Sequence, residues 1–292
     1  MMTETKKIKK VIIPVAGFGT RFLPATKAIP KEMLPIIDKP LIEYAVDEAV
    51  DAGIEEVIFI TSHTKIAIEN HFDNNFELEE KLLRGNKEKY IPLINPDKYK
   101  NIRFTYVRQK SMKGLGDAIS HASHLVNDEP FAIILADDLI ISEQSCLQQL
   151  IEIHNNTNLS VIGVNKVPEE KISSYGVIQP VAHLSGSMLI KNIIEKPDLK
   201  NAPSDLAVVG RYILNHDIFK YLDQVKEDKS NEIQLTDAIK LMLEDQDILA
   251  CEYTGNKFDC GSKSGYVEAT IFMALKDETI KLDLQKYFNS KF

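Results

Sequence analysis

Cysteine is scarce in this chain of 292 residues: Cys146, Cys251 and Cys260 are scattered and form no C-x-x-C pair. Three such thiols are too few for a disulfide framework and fit a reducing compartment. Apolar runs are short, none approaching 18 residues, which excludes a membrane-spanning helix. The opening MMTETKKIKK is polar and leads straight into a strand-like run, so the h-region of a secretory signal is missing and a cytoplasmic protein is expected. The sequence also holds no G-x-S-x-G elbow and no H-E-x-x-H pair. His121 and His124 are three apart on a predicted helix, but no third metal ligand is spaced near them.

With 44% hydrophobic and 27% charged residues the composition is that of a globular domain large enough to bury a sizeable core. The net charge of -8 is uneven: residues 1 to 40 carry +5 and the remainder -13. An acidic body argues against nucleic acid as a partner, whereas a local cationic patch suits a small anionic ligand.

The runs KVIIPVA, EEVIFITS, RFTYVRQ and FAIILADD predict strands buried on both faces. Helical patterns lie between them. In PLIEYAVDEAVDAG the apolar pairs Leu41/Ile42, Ala45/Val46 and Ala49/Val50 recur every four residues, with Pro40 suited to the first turn and Gly53 to the stop. The segments GDAISHASHLV and SCLQQLIEIH repeat the pattern. Such alternation predicts an α/β fold with a mostly parallel central sheet flanked by helices, whose ligands bind beyond the C-terminal strand ends. Past residue 160 the runs SVIGVNKV, YGVIQPVA, MLIKNIIEK and LAVVGRYIL follow one another with turn-rich links such as AHLSGS, so added antiparallel or mixed strands are expected there. Helices return at EIQLTDAIKLMLED and GYVEATIFMALKD, where Met273 reads as packing. Residues 73 to 101 read as a charged, partly helical, solvated insertion.

The segment from Val11 to Ile36, VIIPVAGFGTRFLPATKAIPKEMLPI, follows a strand with Gly17, Gly19, three prolines and the cations Arg21, Lys27 and Lys31, and no helix is expected before Ile36. There is no acid between Pro14 and Lys31. A dinucleotide fingerprint would need glycine where Phe22 stands, and a Walker loop would need Gly-Lys-Ser/Thr five residues beyond Gly17; neither is present. Glycine lets the backbone approach phosphate oxygens, proline limits the entropy a wrapping loop has to lose, and Arg21 with Lys31 offers a fork and a point charge. Two carboxylates, Asp137 and Asp138, end the run FAIILADD, a position from which a carboxylate can carry Mg²⁺ to a phosphate.

The stretch GFGTRFLPATKAIPKEMLPIIDKPLIEY resembles the signature of the sugar-1-phosphate nucleotidyltransferases, and the spelling FLPATKAIPKEMLPI is similar to the bacterial branch that joins UTP to glucose 1-phosphate. The likeness continues through VRQKSMKGLGDA, ADD, YGVIQP, EKP, GRYIL and FDCGSKSGY, across most of residues 10 to 275. It implies a Rossmann-like nucleotide-diphospho-sugar transferase fold in a single domain, with a nucleotide-binding half (1–160), a sugar-binding half (161–262) and a C-terminal helical segment (263–292). It implies UTP and glucose 1-phosphate as substrates, Mg²⁺ as cofactor and a homodimer or homotetramer.

By the same resemblance Ala16, Gly17, Gly19 and Thr20 meet the nucleotide, Arg21 and Lys31 hold its phosphates, and Glu32 accepts from a ribose hydroxyl. Gln109, an amide that donates and accepts at once, matches the uracil edge with Gly114 closing on the base. Asp137 binds the metal with Asp259 as a second ligand. Lys196 holds the sugar phosphate, Glu195 accepts from sugar hydroxyls, and Gly176 and Gly210 let the sugar lie against the backbone. Two other outcomes stay open: a thymidylyl-transferring relative, since thymine differs from uracil by a methyl worth only about 1–3 kcal/mol of discrimination, and a non-catalytic sugar-nucleotide sensor. A dinucleotide oxidoreductase is disfavoured by Phe22.

Overall fold

A computed structural model describes residues 7 to 184 and 186 to 291. Residues 1 to 6 of the polar start and Ser185 of the AHLSGS turn lie outside them. The strands in chain order are β1 (Lys10–Pro14), β2 (Pro35–Ile36), β3 (Lys39–Pro40), β4 (Glu56–Thr61), β5 (Arg103–Arg108), β6 (Phe131–Ile134), β7 (Asp138–Ile141), β8 (Ser160–Lys166), β9 (Gly176–Leu184), β10 (Ser187–Glu195), β11 (Leu206–Leu214), β12 (Ile248–Glu252) and β13 (Asn256–Asp259).

Among the described residues nine strands form one mixed sheet in the order β5-β4-β1-β6-β11-β8-β12-β10-β9. The first four run parallel, as the helical crossovers between them require. From β6 onward the pairings are antiparallel, save the parallel pair β8 and β12. The expectation of a mostly parallel sheet is therefore corrected: only the half built before residue 135 has that character. The physical reason lies in the links, since a short connection such as the one between β9 and β10 can join only antiparallel neighbours.

Alternate residues of β1 explain its unbroken apolar run. Ile12 joins a core cluster on one face with Ile119, Ile133 and Ile239, while Val11 and Ile13 join a second on the other face with Ile42, Val46 and Leu150. Helices cover both faces: Gly114–Ser120 and Leu235–Met242 on the first, Leu41–Asp51 and Cys146–Thr157 on the second. The helix Cys146–Thr157 opens on a capping box between Ser145 and Gln148. The run RFTYVRQ departs from expectation. As β5 it sits at the sheet edge with β4 as its neighbour, so it is half-buried rather than buried on both faces. Residues 73 to 101 carry the helices Phe76–Arg84 and Ile91–Ile94, neither with a buried residue, in keeping with a solvated insertion. A third, small cluster joins Ile36, Leu139, Cys260 and Ala269, and Met273 packs against it. No helix among the described residues is long and apolar enough to cross a membrane.

Candidate active site

The chain leaves β1 into the glycine and proline segment, which is a succession of single 3₁₀ turns (Thr20–Phe22, Ala25–Lys27 and Lys31–Met33) where no helix was expected. The turns form because each proline interrupts the donor sequence that a longer helix needs. Gly19 has φ +66°, and a Cβ there would sit 3.0 Å from the Lys31 Cβ. The Thr26 hydroxyl donates to the Gly19 carbonyl at 2.7 Å, folding the loop back on itself. Gly17 faces open space, Thr20 is exposed, and Ala16 is buried at the loop's root.

Lys31 reaches across to Asp137, Nζ to Oδ2 at 2.6 Å. Burial alone lowers the Lys31 pKa, but the Asp137 and Glu32 charges outweigh it and hold the ammonium above its ordinary value. The same competition acts on Asp137, where burial raises the pKa and Lys31 brings it below the usual carboxylate range. Both groups are charged at neutral pH. Asp138, one residue on, is pushed up to about 6 by burial, against the pull of Lys257. The Lys257 ammonium lies 3.0 Å from Asp138 Oδ1 and 4.2 Å above the Tyr175 ring.

The ribbon of β7 and β13 brings the second aspartate beside the first. Asp259 pairs with Asp138 in register, and the Cys260 N–H donates to the Asp137 carbonyl at 2.8 Å. A Cβ built on Gly261 would lie 3.0 Å from Asp259 Oδ1, 3.1 Å from Asp137 Oδ2 and 3.6 Å from Arg21 Nη1. Two carboxylate oxygens thus converge on a gap that only glycine leaves open, with a guanidinium on its rim. Hard oxygen donors of this kind suit a divalent cation.

On the other strands Glu195 ends β10 opposite Gly176 at the start of β9. Its Oε2 accepts from the Thr236 hydroxyl at 2.8 Å, and its Oε1 lies 3.1 Å from Lys196 Nζ. A Cβ on Gly176 would stand 3.1 Å from Glu195 Oε2, so the strand has room there for the carboxylate and little else. Lys196 adopts a left-handed backbone, φ +43°, with its N–H donating to the Tyr175 carbonyl at 3.0 Å. Such strain in a non-glycine residue persists where the surroundings fix it, commonly at functional positions.

One cavity of about 520 Å³ is lined by Arg21, Asp137 and Asp259 together with Gly176, Glu195, Lys196 and Gly210. Lys31 meets that wall through Asp137. Gln109 and Gly114 form a neighbouring group: the Gln109 amide donates to Asp117 Oδ2 at 2.6 Å, and Gly114 has φ +92° with the Ile233 carbonyl closing in. Gly210, φ +67°, leaves room for Asp138 and Leu135, whose atoms would stand 2.8 Å from a Cβ there.

Glu32 departs from its expected place. Its side chain is 2% exposed and paired with the equally buried Lys65, Nζ to Oε2 at 2.8 Å. The carboxylate faces the interior behind the loop instead of an open ribose site, because the 3₁₀ turn that aims Lys31 forward aims its neighbour back. Sequence reasoning missed Thr236, Lys257, Arg211 and Lys65. The first stands in EIQLTDA beside the predicted helix start, a usable signal; the other three are plain cations whose partners lie far along the chain.

Arg21 from the loop after β1, the aspartates Asp137 and Asp259 and the Glu195–Lys196 pair share one cavity. The chain belongs to the nucleotidyl transferases, the family whose sequence profile, "Nucleotidyl transferase", matches residues 10–276. UTP–glucose-1-phosphate uridylyltransferase of Staphylococcus epidermidis is 49% identical over 284 residues, which cover 97% of this chain and 98% of its own. The protein of the same name from Staphylococcus haemolyticus is likewise 49% identical, with the same coverage. A solved UDP-glucose pyrophosphorylase complexed with UDP-glucose superposes with a TM-score of 0.83 at 45% identity, covering 92% of this chain and 100% of that one. A UTP-bound UGPase from Acinetobacter baumannii gives a TM-score of 0.89 at 37% identity, covering 98% and 100%. Within the family the chain stands with the UTP–glucose-1-phosphate uridylyltransferases.

Proposed function

We propose that this chain transfers the uridylyl group of UTP to glucose 1-phosphate. A phosphate oxygen of the sugar phosphate forms a bond to the α-phosphorus as the bond to the bridging α,β-oxygen breaks, so UDP-glucose forms and pyrophosphate leaves. The observation that carries this is the single cavity in which Arg21, Asp137 and Asp259 share walls with Glu195 and Lys196. Two anions must be brought together there, and an in-line displacement needs positioning and charge neutralisation more than covalent chemistry.

The roles follow from charge and place. Lys31 and Arg21 bind the triphosphate, with Ala16, Gly17, Gly19 and Thr20 supplying backbone around it. Gln109 and Gly114 receive the uracil. Lys196 binds the sugar phosphate, and Glu195, oriented by Thr236, accepts from the sugar hydroxyls beside Gly176 and Gly210. Asp137 and Asp259 are the residues to hold Mg²⁺, which when bound neutralises charge on the phosphates. The sheet is a Rossmann-like, nucleotide-diphospho-sugar transferase arrangement in one domain: residues 1–160 serve the nucleotide, 161–262 the sugar, and 263–292 form a helical extension. Exposed Leu282, Tyr287 and Phe288 on that extension support a homodimer or homotetramer, and the free thiols of Cys146, Cys251 and Cys260 suit the cytoplasm.

The test is pyrophosphate release from the purified protein with Mg²⁺ and glucose 1-phosphate, with UTP, dTTP, ATP, GTP and CTP in parallel. Release chiefly with UTP and recovery of UDP-glucose is expected. Preference for dTTP would reassign the base, and no release with any nucleotide would overturn the proposal.

A further inference from the structure

Glu48 and Arg211 lie behind the cavity, outside its lining. Arg211 is 1% exposed, and its guanidinium grips the Glu48 carboxylate: Nε stands 3.1 Å from both oxygens and Nη2 2.8 Å from Oε2. Glu48 Oε1 also accepts from the Leu147 N–H at 3.0 Å, which fixes the carboxylate between the helices Leu41–Asp51 and Cys146–Thr157. A buried ion pair is by itself poor evidence of a stabilising purpose, because desolvation of two charges offsets much of their attraction.

The remaining donors distinguish this pair. Arg211 Nη1 donates to the Leu135 carbonyl at 3.1 Å and the Gly210 carbonyl at 3.3 Å, and Nη2 donates to the Asp138 carbonyl at 2.8 Å. Leu135 and Asp138 are the two ends of a turn closed by the Asp138 N–H on the Leu135 carbonyl, 3.2 Å. Asp137 stands inside that turn. A planar fork with five donors at fixed angles can hold both ends of a turn and grip a carboxylate at once.

The backbone is bent to make this possible. The pairing of β11 with β8 shifts register between Val208 and Tyr212, where Gly210 takes its positive φ. An irregularity of this kind bends the strand and re-aims a side chain, here the one that follows Gly210.

We propose that Arg211, fixed in turn by Glu48, is a positioning residue that sets the Asp137 carboxylate for nucleotide transfer. The proposal rests on the function given above. Asp137 has to meet Lys31 at 2.6 Å and share the Gly261 gap with Asp259. A turn free to shift by an ångström would lose both geometries while the fold stayed intact.

The experiment uses the full chain. Wild-type turnover is measured first and judges the substrate assignment alone; the variants are then compared with whichever nucleotide and sugar phosphate the wild type uses. Glu48→Leu combined with Arg211→Met replaces the pair by apolar groups of similar volume and is expected to fold, since such swaps are often neutral. Its kcat is expected to fall about 100-fold, the penalty of an ångström's misplacement, while KM for the sugar phosphate, bound by Glu195 and Lys196, stays within about 3-fold. Amide exchange across residues 135–138 should rise in the same variant whether or not turnover is assayed. Arg211→Lys keeps the charge for Glu48 but cannot reach all three carbonyls, and it should lose kcat in the same direction with thermal melting retained. A folded variant of either kind with kcat within about 3-fold of wild type overturns the proposal. Failure of both to fold makes the pair structural and overturns it equally.

Discussion

Lys65→Ala isolates the ion pair behind the loop that follows β1. The substitution leaves the Glu32 carboxylate in a site where its side chain is 2% exposed, with its 2.8 Å partner gone. Removing one member of a buried pair costs about 3–5 kcal/mol, because the other charge stays desolvated and uncompensated. At about 2.1 cal/mol/K per residue, a chain of this length has an unfolding entropy of roughly 0.6 kcal/mol/K, so the melting temperature should drop by roughly 5–8 °C. The assay is thermal unfolding at pH 7 of Lys65→Ala, Glu32→Gln and the double variant Glu32→Met/Lys65→Met. The double variant should recover most of the loss, since an apolar pair has no charge to desolvate. Melting of Lys65→Ala within about 1 °C of wild type would refute the reasoning, given the cost of a stranded buried charge. So would a Glu32→Gln variant with unchanged melting and a raised KM for UTP, which would return Glu32 to the ribose.

Four further outcomes are expected. Asp137→Ala should nearly abolish turnover, and an active variant with unchanged Mg²⁺ dependence would remove that carboxylate from the mechanism. Lys196→Ala removes a charged contact worth about 1.5–3 kcal/mol, so kcat/KM for glucose 1-phosphate should fall roughly 10- to 150-fold, with KM for UTP little changed; equal losses for both substrates would count against the assignment. Gly114→Ala places a methyl 2.8 Å from the Ile233 carbonyl at φ +92°, and overpacking with backbone strain should cost about 1–3 kcal/mol in denaturant unfolding. His154 is buried, its ring N–H donates to the Leu159 carbonyl at 2.8 Å, and burial holds its pKa below 6.5. The unfolded chain binds the proton more readily, so this histidine's stabilisation is present above pH 6.5 and is lost as pH falls through the folded pKa. A His154→Gln variant should show a shallower stability decline below pH 6.5, measured by denaturant titration.

Elements whose reasons are local were legible in the sequence. The strand β1 and the helix Leu41–Asp51 declare themselves through apolar period, Pro40 and Gly53, and the irregular loop between them through its glycines and prolines. Strand direction past residue 160 was legible only as far as the short turn-rich links revealed it. The Glu48–Arg211 and Glu32–Lys65 pairs were not legible, since their partners lie 163 and 33 residues apart. On the helix Leu41–Asp51 the charges of Asp47 and Glu48 look like a solvated face, yet both are buried. Glu32 misled for a related reason: adjacency to Lys31 in sequence suggested a shared task, whereas a 3₁₀ turn sends successive side chains in different directions.

Lys31 and Asp137 satisfy each other at 2.6 Å at the wall of the cavity. A ligand that wedges between them has to give each a new partner. On the roles proposed above, a bare triphosphate would satisfy Lys31 and leave Asp137 facing oxygens of its own sign, while a nucleotide carrying its cation would satisfy both. The pair would then filter the ionic form of the incoming nucleotide, favouring the chelate over the naked anion.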